Sequence, residues 1–115
     1  MTYVVLLEFS IFPLDQGESV SQEVSQVIAM IKKSGIDYQL TAMGTLIETS
    51  TTADALSIVQ KATELLHKDG SQRVYATIKI DSRVDKEHRL QGKIQSVQAR
   101  IGKVNLNPNR QDIET

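Results

Sequence analysis

The chain has 115 residues, 40% of them hydrophobic and 23% charged, with a formal net charge of −1. That length suits one domain whose core needs no metal or disulfide staple, and the near-neutral balance removes the electrostatic case for nucleic acid or an anionic membrane as partner. Cysteine is absent, which excludes thiol chemistry, iron–sulfur clusters and thiolate zinc sites and ties the chain to no oxidising compartment.

The N-terminal apolar run of Val4, Val5, Leu6 and Leu7 is too short for a signal peptide and has no basic flank. No stretch approaches the length needed to span a bilayer. The expected location is the cytoplasm.

Residues 3–12 are rich in β-branched and aromatic side chains, and Pro13 closes them. They read as a strand, with Val5, Leu7, Phe9 and Ile11 on one face and Val4, Leu6, Glu8 and Ser10 on the other. Because both faces are apolar over the first half, the strand should be central and covered on both sides. After a loop over residues 13–17, Ser19 and Gln22 form a capping box. Val20, Val24, Val27, Ile28 and Ile31 then recur at helical steps, and Gly35 ends the helix after Lys32 and Lys33.

Residues 36–42 alternate, with Ile36, Tyr38, Leu40 and Ala42 facing inward, and residues 45–49 follow as the hairpin partner. The turn between them, at Met43-Gly44, is expected to use the positive φ that glycine adopts at little cost. Thr51 or Thr52 caps a second helix, with Leu56, Val59, Ala62, Leu65 and Leu66 as its buried stripe and Gly70 as its stop. Residues 73–81 alternate again: Val74, Ala76, Ile78 and Ile80 inward against Tyr75, Thr77, Lys79 and Asp81. A charged loop over residues 81–85 leads to a third helix over residues 86–101, with Leu90, Ile94, Val97 and Ile101 on one face.

The order β-α-β-β-α-β-α is two βαβ-like halves joined by a hairpin. It specifies an α+β, ferredoxin-like βαββαβ fold: an antiparallel sheet in the order 4-1-3-2, two helices on one face, and an additional C-terminal helix. The domain is expected to span residues 1–102, with residues 103–115 as a polar, Asn-containing tail.

The sheet face away from the two helices should carry Val4, Leu6, Glu8, Ser10, Gln39, Thr41, Tyr75, Thr77, Lys79, and either Thr45 or Glu48. An apolar patch beside polar groups marks an interface, so self-association through this open face, as dimer or tetramer, is the expected outcome. A carboxylate in an apolar strand, as at Glu48, must be exposed, paired or used. Glu8 and Lys79 can form a cross-strand ion pair. Converging under a second subunit, such groups would line a small polar pocket.

Several chemistries fail on the residues. His67 and His88 fall on surface-like positions with no evident partner. The acidic alternation over residues 81–85 lacks the glycine and closing glutamate of a calcium loop. There is no glycine-rich phosphate loop, and no arginine follows the first strand as acylphosphate hydrolysis on this fold would want. An RNA-recognition motif would want aromatics on the open face of the central strands and a basic surface; the outward positions there are Glu8, Ser10 and Thr45 or Glu48, so that reading fails. No nucleophile is assembled with a base, so no catalytic residue, metal ligand or cofactor is assigned; non-enzymatic binding is the better class.

Three motifs, Glu8-Phe9-Ser10-Ile11-Phe12-Pro13, Met43-Gly44-Thr45-Leu46-Ile47-Glu48 and residues 77–86 (TIKIDSRVDK), together resemble the small thiamine-binding, YkoF-like family, long catalogued as conserved and uncharacterised. The resemblance runs from residue 3 to about residue 101. It implies a ferredoxin-like subunit, sheet-packed dimers that pair into tetramers, binding of thiamine or its hydroxymethylpyrimidine moiety, and no known reaction. The family's namesake carries the unit in tandem, whereas this chain has one copy, and the tail departs from the family's shorter ends. On that basis Glu48, with Glu8 as second choice, would accept from the exocyclic amine of the pyrimidine. Ser10 and Thr45 would serve the ring nitrogens at the Met43-Gly44 turn, Met43 or Tyr38 would cover the ring, and Lys79 would pair with a carboxylate. The competing reading is a structural or regulatory oligomer that binds another small effector, an amino acid or an anion, or no ligand.

Overall fold

A computed structural model of the chain describes residues 3–15, 17, 21–84 and 89–106. Its elements are β1 (Tyr3–Pro13), α1 (Ser21–Ser34), β2 (Asp37–Leu40), β3 (Thr45–Thr49), α2 (Thr52–Lys68), β4 (Val74–Val84) and α3 (Arg89–Ile101). The four strands form one antiparallel sheet in the order β2-β3-β1-β4, the ferredoxin-like order that the alternation implies. Ser19, half of the expected capping box, and His88 lie outside the described residues.

Alternation on β1 decides the layering. Val5, Leu7, Phe9 and Ile11 are buried against the helices. Val27 and Ile31 of α1, Ile47 of β3, and Ala55, Ile58, Val59, Ala62 and Leu66 of α2 close the same core. Leu7 and Ile31 are fully enclosed; replacing either with alanine would cost about 2–5 kcal/mol in lost transfer energy and cavity. Leu56, expected in this stripe, is instead 42% exposed, because the stripe of α2 runs through Ala55, one position before it, and Ile58, two positions after it.

The helix ends follow capping rules. The Thr51 hydroxyl accepts from the Asp54 amide at 3.0 Å, settling which threonine caps α2. At the other end, Gly70 has φ +109, and the amides of Gly70 and Ser71 return to the carbonyls of His67 and Leu66 in a Schellman closure. His67 has a partner after all: its Nδ1 lies 2.9 Å from the Ser71 carbonyl oxygen. Ser71, 4% exposed, donates to the Asp15 carboxylate at 2.7 Å, and the Gln72 amide donates to the other Asp15 oxygen at 2.8 Å. The loop after β1 is thereby tied to the loop before β4.

Two expectations about the sheet require correction. First, the face away from α1 and α2 is not bare: α3 lies across β1 and β3 on that side. The Leu90 amide in its first turn donates to Glu48 at 3.0 Å, and Lys93 meets Asp81 at 3.7 Å. Leu90 and Ile94 are half-buried there, whereas Val97 and Ile101, further along the same stripe, are 46% and 72% exposed. Second, β4 has the expected facing but not the expected burial. Ile78 and Ile80 pair with Phe9 and Leu7 on the helix side, yet they are 42% and 44% exposed. The strand is an edge, and α2 packs mainly beneath β1. It also continues through Val84, absorbing much of the expected loop.

Candidate ligand site

The β2–β3 connection is built by one threonine. The Thr41 Oγ1 accepts from the amides of Met43 and Gly44 at 3.2 and 3.1 Å and donates to the Gly44 carbonyl at 2.9 Å; the Thr41 amide donates to that carbonyl at 2.8 Å. A hydroxyl that closes a turn on its own backbone competes with extended pairing, so β2 stops at Leu40 instead of running through Ala42.

Gly44 is required here for a reason other than the one expected. It is not among the positive-φ glycines. A Cβ built on it would stand 2.9 Å from the Phe9 carbonyl oxygen and 3.4 Å from the Phe9 carbonyl carbon, both main-chain atoms. The turn lies against the backbone of β1, and only glycine permits that approach.

This contact sits where β1 outruns its neighbour. Pairing with β3 ends at Phe9–Thr45, whereas pairing with β4 continues from Ser10 through Pro13. Among the described residues no strand pairs with the β3-side edge of Ser10–Pro13. Between that overhang, α1 and the Thr41 turn lies a cleft of about 180 Å³. Its walls include Ile11, Val24, Val27, Ile28 and Leu40, with Ser10, Thr41, Gly44 and Thr45 as polar or main-chain members and Met43 at the rim, 83% exposed. The lining carries no charged side chain among the described residues. Such a space suits a flat, neutral, hydrogen-bonding ring, and is below the roughly 300–1,000 Å³ of sites for larger ligands.

The sequence-derived set is divided by this geometry. Ser10, Met43, Gly44 and Thr45 line one cleft. Thr45 lies on the helix side and is 6% exposed, so Glu48 is the β3 residue that faces the other way. Glu48 and Tyr38 line a separate recess of about 260 Å³ with Asp37, Gln39, Leu90, Gln91 and Ile94, towards the other end of β3. The Glu48 carboxylate there is engaged by the α3 amide of Leu90, a favourable position for a negative charge at a helix N-terminus. Glu8 and Lys79 are cross-strand neighbours, 3.8 Å apart, with the lysine side chain 85% exposed; a pair so solvated contributes about 0–1 kcal/mol.

Sequence reasoning missed Val24, Val27, Ile28, Leu40, Thr41 and Ala42 as lining residues. Thr41, three residues before a glycine, carried a local turn signal. The α1 residues carried none, since their helical spacing speaks of core in general and not of a gap in it.

Similarity to known proteins agrees with the architecture. The thiamine-binding protein family matches residues 7–98. A UPF0045 protein of Methanothermobacter thermautotrophicus is 33% identical over 99 residues, covering 85% of this chain and all of the relative. The crystal structure of protein MJ1052 from Methanocaldococcus jannaschii, 34% identical, superposes with a TM-score of 0.71 over 82% of this chain and 95% of that one. A Bacillus cereus domain of unknown function, DUF77, reaches 0.72 at 25% identity, covering 83% of this chain and 90% of the domain. The family match takes in β1 from Leu7, the Thr41 turn and most of α3 together, so the elements that frame the cleft lie within it. The chain belongs to the thiamine-binding protein family.

Proposed function

We propose that this protein binds the hydroxymethylpyrimidine moiety of thiamine, free or within thiamine, in the cleft between α1, the β1 overhang and the Thr41 turn, and that it acts by binding without catalysing a reaction. The observation that carries this reading is the unpaired main-chain edge of β1 beside an uncharged, mostly apolar cleft of about 180 Å³. An aminopyrimidine presents an amine donor next to ring-nitrogen acceptors on one edge, the pattern that a strand edge accepts. Its faces are apolar, matching walls such as Val24, Ile28 and Leu40. Ser10 and Thr45 supply further hydrogen-bonding capacity, and Met43 at the rim is placed to cover the ring. Each neutral hydrogen bond contributes about 0.5–1.5 kcal/mol net, so ring burial with two or three of them supports roughly micromolar affinity.

In this reading Glu48, Tyr38, Glu8 and Lys79 are not ligand contacts. Glu48 holds α3, and Glu8 pairs with Lys79. Stacking of two copies through the open sheet face also belongs to the reading. Phe12 and Tyr75 lie there with ring centroids 5.9 Å apart, at the end of β1 away from Leu6 and Asp81, where α3 sits.

Calorimetric titration with thiamine, and separately with hydroxymethylpyrimidine, tests the site. Saturable binding of both at similar affinity, lost in Thr41→Val, is the expected result. Binding of thiamine alone, or binding of both that survives Thr41→Val and disappears in Glu48→Gln, would move the site to the other recess. No heat and no thermal shift with either would overturn the ligand assignment.

A further inference from the structure

The formal net charge of −1 is an average over two unlike parts of the chain. Residues 1–60 hold seven carboxylates against only Lys32 and Lys33. Residues 89–111 hold Arg89, Lys93, Arg100, Lys103 and Arg110 with no aspartate or glutamate among them. The balance that argues against an anionic partner for the whole chain therefore does not apply to α3 and the residues after it.

α3 is also the helix least committed to the core. Its first two turns are held: the Leu90 amide donates to Glu48, Lys93 meets Asp81, and Leu90 and Ile94 are half-buried. Beyond Ile94 the same apolar stripe runs out into solvent through Val97 and Ile101, and Leu106, past Gly102, is exposed as well. Lys93, Ser96 and Arg100 recur at steps of three and four, which sets a polar, basic stripe beside the apolar one. Among the described residues neither Arg100 nor Lys103 has an ion-pair partner. The carboxylates of the sheet beneath, Glu8, Glu48 and Asp81, are each engaged.

We infer that the second half of α3, with the residues up to Leu106, docks on an anionic lipid surface. Basic and aliphatic side chains next to one another on a helix of low overall hydrophobicity match the boundary of a bilayer. The cations meet lipid headgroups and the aliphatic groups enter the edge of the acyl region. A nucleic acid would satisfy Arg100 and Lys103 but leave Val97, Ile101 and Leu106 in water, so the lipid surface accounts for both halves of the pattern. α3 is the one described helix on its side of the sheet, and as the outermost layer there it can be reached by a planar partner. At 13 residues it is too short to cross a bilayer and would lie along it. Attachment of this kind is reversible and weakens with salt. The inference does not depend on which ligand fills the cleft.

Flotation of the full chain with vesicles tests it. The protein should be retained on mixed phosphatidylcholine–phosphatidylserine vesicles at low ionic strength, released as salt is raised, and not retained on phosphatidylcholine alone. The chain has no tryptophan, so Ile101→Trp reports the contact: its emission should shift to the blue with the anionic vesicles. Leu56→Trp, on α2 across the sheet, should show no shift. Arg100→Gln combined with Lys103→Gln should lower the vesicle partition coefficient about tenfold or more and keep the thermal transition, since both side chains are exposed. No retention at low salt, equal retention on both vesicle types, or retention unchanged by the double substitution would overturn the proposal. So would retention on a random-sequence DNA duplex in place of vesicles, which would assign the basic stripe to nucleic acid. A change of oligomeric mass in Ile101→Ser with vesicle retention unaltered would also overturn it, by assigning the apolar end of α3 to a second copy.

Discussion

Replacing Gly44 with alanine tests the close approach on which the cleft depends. The added Cβ would lie 2.9 Å from the Phe9 carbonyl oxygen, and Phe9 is a fully buried core residue paired with Thr45 in the sheet. Neither side yields cheaply. The Thr41 hydroxyl and amide hold the turn through contacts of 2.8–3.2 Å, and β1 is clamped between β3 and β4. Overpacking of this kind costs about 1–3 kcal/mol. Alanine recovers about 0.4–1 kcal/mol by restricting the unfolded chain, because the native φ at Gly44 is one it can adopt. From the middles of these two ranges the net loss is about 1.3 kcal/mol, which lowers Tm by about 5–10 °C in a domain near 100 residues.

Differential scanning calorimetry measures the loss, and titration with thiamine measures the accompanying change at the cleft. Gly92→Ala is the matched control. Nothing lies within 4 Å of its added Cβ inside α3, so it should hold or raise Tm through its gain of up to about 1 kcal/mol in helix propensity. A Gly44→Ala protein that melts at or above the parent would refute the claim that the turn is pressed against β1.

Removal of the Thr41 hydroxyl in Thr41→Val should cost about 1–2 kcal/mol by leaving two turn amides without their acceptor, and Thr41→Ser should recover most of the loss; thermal melts of the three proteins decide it. Glu48→Gln should weaken the attachment of α3 by about 0.5–2 kcal/mol, through loss of charge at a helix start. Faster hydrogen exchange confined to the amides of α3 is the expected signature, and uniform exchange across the sheet would contradict it. Ser71→Ala should cost about 1–3 kcal/mol, since Ser71 is 4% exposed and bridges Asp15 to the Arg73 carbonyl; urea denaturation reads it directly, and an unchanged midpoint would remove the loop tie from the stability of the fold.

Much of the tertiary arrangement places no demand on the local sequence. Glu48 and the Leu90 amide are 42 residues apart, and Asp15 and Ser71 are 56 apart. A carboxylate in a strand reads the same whether it binds a ligand or caps a helix from another part of the chain. The chemistry is shared, and only the partner differs. Among the described residues no helix is long and apolar enough to cross a membrane, which agrees with the absence of any such run in the sequence.

Period-two alternation in β1 and β4 and the helical repeats of α1 and α2 determine the elements, their faces and the ferredoxin-like order, because each element must turn one apolar side to a common core. The end of α2 at Gly70 and the turn before Thr45 are likewise legible, since glycine and short hydroxylated side chains act on their own backbone. Strand overhang, helix reach and close approach were decided in three dimensions. Ile78 and Ile80 face the helix layer, as alternation demands, yet stay exposed because two helices do not cover the full width of four strands. The cleft exists because β1 extends four residues past the point where β3 stops pairing with it, and Gly44 matters because a main-chain oxygen lies where its Cβ would be. Periodicity records which way a residue faces; what stands opposite it depends on the lengths and positions of other elements, and those are set only when the core closes.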